Sequence, residues 1–470
     1  MGRRMRFGWV LLVALAVAAP PLSAHAKEKK KKKATREAPA AEAEAAPATD
    51  QGLEDRVRAL EKKVDSQQRN VTSEHQTIQQ RIEAVEKDVK DTKDTIAEKL
   101  GVELHGFVAT NYNYNFNSPS PGSGGNRIHV FDEDANSINL DQANINIQRN
   151  KPEGLGFNLD LDFGKTAEVV GRATRWSGGS GSGESSNSVE LRQAYFKYTF
   201  PSTPFSIQAG KFVTFHGAEI IKAYNNFNYN ISNSILFGFA IPFTHTGLIG
   251  TYNLPSDMGS ISAGIVNGWD NVADNNSSKS VHSMFTLTPS PMFTFALSGT
   301  YGPEQDNNGR SKRLMITPLL TIKPTDQLTF IIDYNYGNES NVAFATGVTS
   351  TTALLAAPGN KMWQGMAGYV VFAATDSLQL ALRGEVFDDP DGVRTLYQEA
   401  GFGPGATFWE VTPTLSYKIT DGLWVRTEYR HDESDKRFFS KDNRIVSDGQ
   451  QAALGQRGQD LMAAEFIYAF

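Results

Sequence analysis

Charged side chains beyond residue 100 recur two positions apart, within stretches that otherwise alternate polar and apolar residues. In an extended strand, residues i and i+2 lie on the same face, so both charges of such a pair point the same way. An Arg near the middle of a membrane costs about 2 to 4 kcal/mol, and these side chains are therefore predicted to line water. The predicted pore-lining set is Asp160, Asp162, Glu190, Arg192, Arg383, Glu385, Arg426, Glu428 and Arg430.

The chemistry that this set could perform is electrostatic selection of solutes. We expect its four arginines to stand across a water-filled lumen from its carboxylates. A wall that carries both signs of charge passes small hydrophilic solutes with only weak ion preference. Keeping Arg383 and Glu385 on one face is expected to need a one-residue bulge near Arg383.

Motifs typical of enzymes are absent from the sequence. It contains no cysteine, no H-E-x-x-H and no G-x-S-x-G. One enzyme alternative is a barrel lipase in which His245 acts with a nearby Ser. Asp432, Glu433 and Asp435 could hold a divalent cation, although acidic surface loops are more often simply hydrated. We therefore predict no catalytic residue, no cofactor and no metal site.

Sixteen alternating stretches would position the charges, the third of them at 155–169 and the last at 459–470. In the last stretch, Phe466 and Phe470 share one face and Glu465 lies on the other. Short connectors rich in Pro, Asp and Gly alternate with long polar connectors, as a barrel with both termini on one side requires. Residues 101–470 are therefore predicted to form an all-β, 16-stranded antiparallel transmembrane β-barrel.

A connector at 219–243 differs from the other long connectors. Asparagines interleave with aromatic residues, and an apolar run follows at 235–241. Wide channels are narrowed by a loop that folds inward, and selectivity follows the charges beside it. This stretch is the candidate constriction, and the alternative is an external loop followed by an apolar strand extension.

The first hundred residues differ in composition from the rest. Residues 1–26 have early arginines, an apolar run and an A-x-A site, which indicate a signal peptide. Residues 27–50 are rich in Lys, Ala and Pro and predict a disordered linker. Apolar residues at heptad spacing predict an α-helical coiled coil over 51–100, for which the alternative is a single solvated helix. We expect a homo-oligomer, a trimer, from the barrel context.

Four stretches within 103–470 resemble a known family, the OmpL-like outer-membrane β-barrel porins. They are 105–119 (HGFVATNYNYNFNSP), 131–149 (FDEDANSINLDQANINIQR), 154–168 (GLGFNLDLDFGKTAE) and 245–252 (HTGLIGTY). The resemblance implies an outer-membrane channel without a catalytic set. The preceding coiled coil is a departure from the simplest members and is similar to a segment that phosphate-selective porins often carry.

The expected function is that of an outer-membrane porin, a water-filled channel for passive diffusion of small hydrophilic solutes. The barrel would lie in the lipid of the bacterial outer membrane, with the N-terminal segment in the periplasm. A phosphate- or anion-selective porin is one alternative. Another is an envelope tether, in which the coiled coil and the lysine-rich stretch contact peptidoglycan. A net charge of −6 gives no reason to expect a nucleic-acid partner.

Overall fold

A computed structural model describes most of the chain beyond residue 49. The predicted signal peptide (1–26) and all but the last residue of the predicted linker (27–50) lie outside the described residues. The described ranges are 50–119, 125–174, 188–342, 345–346, 354–355, 359–395, 405–441 and 455–470.

The N-terminal described element is a single long helix, α1 (Asp50–Leu100). Its heptad residues Leu60, Val64, Ile78, Ile82 and Val85 are between 51% and 62% exposed within one chain. The helix predicted for this region is confirmed, whereas its assembly into a coiled coil stays a prediction. Among the described helices, none has the length and apolar character needed to cross a bilayer.

Sixteen strands form one closed antiparallel barrel, in which each strand pairs with its sequence neighbours and the last pairs with the first. The predicted fold class and strand number are confirmed. Two further strands of two residues each, β12 (Ala345–Thr346) and β13 (Leu354–Leu355), pair with each other in one long connector and lie outside the barrel sheet. The barrel strands are β1 (Glu103–Asn115), β2 (Ser137–Arg149), β3 (Gly154–Phe163), β4 (Val189–Thr199), β5 (Phe205–Val213), β6 (Thr244–Asn253), β7 (Gly259–Val266), β8 (Ser280–Ser290), β9 (Phe293–Gly302), β10 (Arg313–Ile322), β11 (Leu328–Val342), β14 (Gly359–Ala373), β15 (Leu378–Asp389), β16 (Ala406–Thr420), β17 (Leu423–Ser434) and β18 (Gly458–Ala469).

Strand β15 shows how the alternation sorts side chains between the two faces. Leu382 and Val386 are 46% and 50% exposed on the outer face, whereas Arg383 and Glu385 are buried inside. The bulge predicted near Arg383 is wrong, because β15 stays in register with β14 and β16 through this position. Arg383 and Glu385 are two residues apart, so a regular strand already places both inside.

The strand predicted over 155–169 is confirmed as far as Phe163 and is wrong beyond it. Strand β3 ends at Phe163, and Gly164 has φ of 94°, a conformation that favours glycine. A short helix, α2 (Lys165–Ala173), follows and buries Val169 and Val170 in the main apolar cluster inside the barrel. The positive φ turns the chain out of the β-ladder and into this helix.

The C-terminal residue closes the barrel against β1. Phe470 N donates to the Gly106 carbonyl at 2.9 Å, and Gly106 N donates to the Phe470 carbonyl at 3.1 Å. The Phe470 ring lies over Gly106, where a Cβ would stand 2.6 Å from the ring and 2.7 Å from the Asn144 carbonyl oxygen. Closure removes the open strand edges, and Gly106 leaves room for the aromatic residue at the joint.

We predict that Gly106→Ala destabilises the closed barrel, because the added methyl group must displace Phe470 or the backbone of Asn144. The expected loss is about 1 to 3 kcal/mol. Its measure is the temperature at which the folded, fast-migrating form is lost in gel electrophoresis. Gly368→Ala is the matched control, since a Cβ there meets nothing nearer than 4.0 Å. Equal transition temperatures for the two variants would contradict the prediction.

Candidate functional site

The connector between β5 and β6, residues 214–243, lies inside the barrel and is called the in-folded segment. Its apolar residues Ile221, Ile231, Ile235 and Leu236 are at most 5% exposed. It contains a five-residue π-helix, Leu236–Ala240. The predicted inward folding of 219–243 is therefore confirmed, and the alternative of an external loop is wrong.

Arg383 on β15 anchors the middle of the in-folded segment. Its Nε donates to Glu410 on β16 at 2.7 Å, and its Nη1 donates to Glu219 at 2.8 Å and to the Ser232 carbonyl at 2.7 Å. Tyr369 on β14 also donates its hydroxyl proton to Glu219, at 3.0 Å. One buried guanidinium therefore joins two strands of the wall to two points of the segment.

Two wall carboxylates hold backbone amides of the same segment. Glu385 accepts from the amides of Ile235 at 2.5 Å and Leu236 at 3.1 Å. Glu428 on β17 accepts from the amides of Ile231 at 2.6 Å and Ser232 at 3.0 Å. Consecutive N–H groups that converge on a carboxylate stabilise its negative charge.

Two further arginines on β17 grip segment carbonyls. Arg426 donates to the Asn228 carbonyl and Arg430 donates to the Asn233 carbonyl, each at 2.7 Å. Arg426 is also paired with Glu465 on β18 at 2.9 Å. Alternation in the sequence had already placed Glu465 on the inner face, where it now contacts both Arg426 and the segment.

Strands β2 and β4 hold the segment at Lys222, between Glu219 and Asn228. Lys222 in the segment forms ion pairs with Asp141 on β2 and with Glu465, the latter at 2.7 Å. Arg192 on β4 donates to the Lys222 carbonyl at 2.5 Å. The segment therefore spans the interior between β2 and β15.

Ion pairs on the wall form between neighbouring strands. Arg192 lies 3.2 Å from Asp160 and 3.4 Å from Asp162, both on the adjacent strand β3. Glu190 pairs with Lys211 on the adjacent strand β5. The predicted separation of acids and bases across the lumen is wrong, because strand pairing sets opposite charges side by side.

The nine residues of the predicted set all face the barrel interior and are at most 4% exposed. Six of them contact the in-folded segment, namely Arg192, Arg383, Glu385, Arg426, Glu428 and Arg430. The other three, Asp160, Asp162 and Glu190, form ion pairs with neighbouring strands of the wall. That these residues line the solute path stays a prediction.

Sequence reasoning missed the segment's own partners. Glu219 and Lys222 lie in a connector, where no period indicates which way a side chain points. Trp363 on β14 donates its indole N–H to the Ala240 carbonyl at 3.0 Å, and Glu410 pairs with Arg383. Parity along β16 would have placed Glu410 inside, but no sequence pattern identified its partner.

His129, in the connector between β1 and β2, fastens that connector to the wall. Its Nδ1 lies 2.6 Å from Asp132 and its Nε2 lies 2.9 Å from Asp432 on β17. Asp432 is also paired with Arg430 at 2.7 Å. Asp432 therefore points into the barrel, and among the described residues no cluster of metal-ligating side chains forms with Glu433 and Asp435.

His245, the residue proposed for a lipase alternative, has both ring nitrogens engaged. Nδ1 donates to the Gly268 carbonyl at 2.9 Å, and Nε2 accepts from the Thr214 hydroxyl at 3.2 Å. The hydroxyl at Nε2 belongs to a threonine rather than a serine, and His245 is 0% exposed, so a lipid substrate would not reach this pair. The geometry around His245 thus gives the lipase alternative no support.

An apolar outer face, an ionised inner face and an in-folded segment together define the class of outer-membrane channel barrels. A family model described as "Putative beta-barrel porin-2, OmpL-like" matches residues 101–470. The chain therefore belongs to the OmpL-like family of β-barrel porins. This membership makes it a porin of the bacterial outer membrane.

Solved outer-membrane barrels share the architecture at low sequence identity. Pseudomonas putida OprB has a TM-score of 0.50 at 10% identity, over 82% of this chain and 97% of that protein. The anion-selective porin of Comamonas acidovorans scores 0.47 at 10% identity, over 78% and 99%. The channel DcaP of Acinetobacter baumannii scores 0.46 at 12% identity, over 78% and 97%. Among curated proteins, no sequence matches this chain.

We predict that barrel stability falls as the pH rises through about 8, because His129 then loses its charge. Burial and the nearby Arg430 lower the pKa of His129, but the carboxylates of Asp132 and Asp432 outweigh them and raise it to about 8. A raised pKa contributes stability that is complete below the unfolded value and is lost above the folded one, here up to about 2 kcal/mol.

Thermal unfolding in detergent at about pH 6 and about pH 9 would measure this contribution. His129→Gln should remove most of the pH dependence in this interval. His431→Gln, at the same end of the barrel, is the control and should retain it. An unchanged pH dependence in His129→Gln would refute the assignment.

Proposed function

We propose that this porin passes small hydrophilic solutes by passive diffusion through a water-filled channel beside the in-folded segment. The observation that carries the proposal is the difference between the apolar outer face and the polar inner face of the barrel wall. Residues such as Leu382 and Val386 meet the membrane, while ionisable residues such as Arg383 and Glu385 point inward. Sixteen strands are enough to enclose an aqueous lumen, unlike eight.

The in-folded segment would set the size limit for solutes. It is attached to β2, β4 and β15–β17 through the polar contacts of Lys222, Arg192, Arg383 and Glu428. A segment held at so many points keeps a defined position in the lumen. We therefore expect a fixed constriction with a sharp upper limit on solute size.

Weak ion preference follows from the way the interior charges are distributed. Each of five buried cations pairs with at least one carboxylate in the described part of the chain. They are Lys222, Arg192, Arg383, Arg426 and Arg430. A paired cation attracts an anion less than a free one does. The phosphate-selective alternative predicts instead a strong anion preference that phosphate blocks.

We predict that Arg383→Met raises the single-channel conductance and destabilises the protein. Removing the guanidinium leaves Glu219 and Glu410 buried without their cation, which costs about 3 to 5 kcal/mol. The segment should then move from the wall and widen the path. Planar-bilayer recording, with liposome swelling in sugars of increasing size, measures both the conductance and the size limit.

The matched control is Lys418→Gln, which removes an ion pair with Asp421 at the exposed end of β16. It should leave conductance and size limit unchanged. A wild-type protein that forms no conducting channels in the bilayer would overturn the proposed function. Strong anion selectivity that phosphate abolishes would replace it with the phosphate-selective alternative.

We further propose that α1 joins protomers into a trimer and projects into the periplasm. The exposed apolar row of Leu60, Val64, Ile78, Ile82 and Val85 supports this, because such a row is stabilised when helices pack together. In the tether alternative, α1 and the lysine-rich stretch before it contact peptidoglycan. That stretch lies outside the described residues.

We predict that Val64→Cys gives a three-chain product with a trifunctional maleimide, since the heptad rows of three helices would face one another. The native chain has no cysteine, so each product reports one site. Lys62→Cys, on the opposite side of α1, is the control and should give mainly single chains. Single chains from both variants at every concentration would refute the oligomer.

A further inference from the structure

Three buried histidines meet at the point where the in-folded segment leaves β5. His216 belongs to the segment, His245 to β6 and His282 to β8, and they are called the histidine cluster. The ring centroids of His245 and His282 lie 4.2 Å apart, and those of His216 and His282 lie 5.3 Å apart. All three are at most 2% exposed.

The partners of His282 and His245 fix which ring nitrogens carry protons. His282 Nε2 accepts from the Phe215 amide at 3.3 Å, so it is unprotonated, and its Nδ1 donates to the Thr300 hydroxyl at 2.8 Å. His245 Nδ1 faces the Gly268 carbonyl and must donate to it. Its Nε2 then accepts from the Thr214 hydroxyl. Both rings are therefore neutral.

His216 completes the same chain of hydrogen bonds. The Thr300 hydroxyl donates its proton to His216 Nε2 at 2.8 Å. His216 Nδ1 then carries the one proton of the ring and lies 2.8 Å from the Ser298 hydroxyl and 2.9 Å from the Thr317 hydroxyl. The Thr317 hydroxyl donates onward to Asn335 at 3.1 Å. The Phe215 N–H, which cannot rotate as a hydroxyl can, meets an acceptor only while His282 is neutral.

The charged groups around the cluster do not neutralise an added proton. Asp333 on β11 is engaged by the amides of Ala218 and Asn335, and Lys211 on β5 is paired with Glu190. Glu304 accepts from Ser280 at the start of β8. In the described part of the chain, none of these carboxylates forms an ion pair with a cluster histidine. A proton added there is a buried charge without a counterion.

Asp270, in the connector after β7, holds the other end of the segment, and there acid strengthens the attachment. It accepts from the amides of Phe243 and Thr244, each at 2.8 Å. Burial raises the pKa of Asp270 to about 6 despite these two amides. Acidification through this value therefore favours the attached segment at Asp270, so the contact at this end does not release the segment in acid.

We propose that the histidine cluster is an acid-sensitive anchor, which holds residues 214–218 to the wall when neutral and releases them when protonated. A proton on His282 Nε2 would face the Phe215 N–H, donor against donor, and this contact must then break. This inference rests on the proposed channel, whose conductance would rise on release.

Planar-bilayer recording of the full-length protein between about pH 7 and about pH 4 tests the inference. We expect the wild-type conductance to rise at least about twofold as the segment is released. In His245→Gln/His282→Gln, the amide oxygen can accept from Thr214 and Phe215 but cannot be protonated, so the response should be absent. His431→Gln lies outside the cluster and should keep the wild-type response.

Nitrogen-15 NMR of the labelled imidazoles supplies a second readout. If the cluster were purely structural, its chemical shifts would not change over the pH range in which the conductance rises. The cluster signals should show neutral tautomers at pH 7 and titrate together with the conductance. A wild-type conductance that is present at pH 7 but constant or falling in acid would overturn the inference and leave the proposed function intact. An acid response retained by the double variant would overturn it as well.

If the double variant fails to give the heat-modifiable barrel, His282→Gln alone replaces it, because His282 contacts the Phe215 amide directly. Its acid response should be at least halved relative to wild type. No conductance from the wild type at any pH is a different outcome, which removes the proposed function and the inference with it.

Discussion

Closure of the hydrogen-bonded ring is the constraint on which the rest of this structure depends. A backbone N–H or C=O that faces lipid without a partner costs several kcal/mol, so a strand-built membrane protein must pair its last strand with its first. Here β1 and β18 make that joint, and the amide and carbonyl of Phe470 are paired with those of Gly106. Once the ring is closed, each side chain faces either lipid or the interior.

The interior then has to satisfy the charges that the outer face cannot hold. Water alone could do so, but in this porin the in-folded segment takes much of that role. It supplies carbonyls to Arg426 and Arg430 and amides to Glu385 and Glu428. The wall charges and the segment therefore stabilise each other, since each supplies hydrogen-bond partners that water would otherwise have to provide.

Low sequence identity to OprB over nearly all of that barrel follows from the same physics. A barrel wall requires only that apolar and polar residues alternate and that turns occur at the right intervals, and many sequences meet this condition. The contacts inside the lumen require specific pairs of residues, unlike the alternation of the wall. They are the part of this protein in which solute selection and acid response would reside.

The sequence by itself determined the class, the number of strands and the face on which the charged strand residues lie, because alternation has a period of two and turn residues mark its ends. It placed Arg383 and Glu385 inside, although the bulge inferred there proved unnecessary. It also indicated an inward fold for 219–243 from the apolar run that follows its asparagines.

Only the tertiary structure decided which groups meet. Strand register set Arg192 beside Asp160 and Asp162, where the sequence had suggested charges facing one another across the lumen. The positive φ of Gly164 began a helix where alternation predicted more strand. The histidine cluster joins residues from the segment, β6 and β8, and their encounter depends on the pairing of β6 and β8 with β7 and on the inward course of the segment, which no local period encodes.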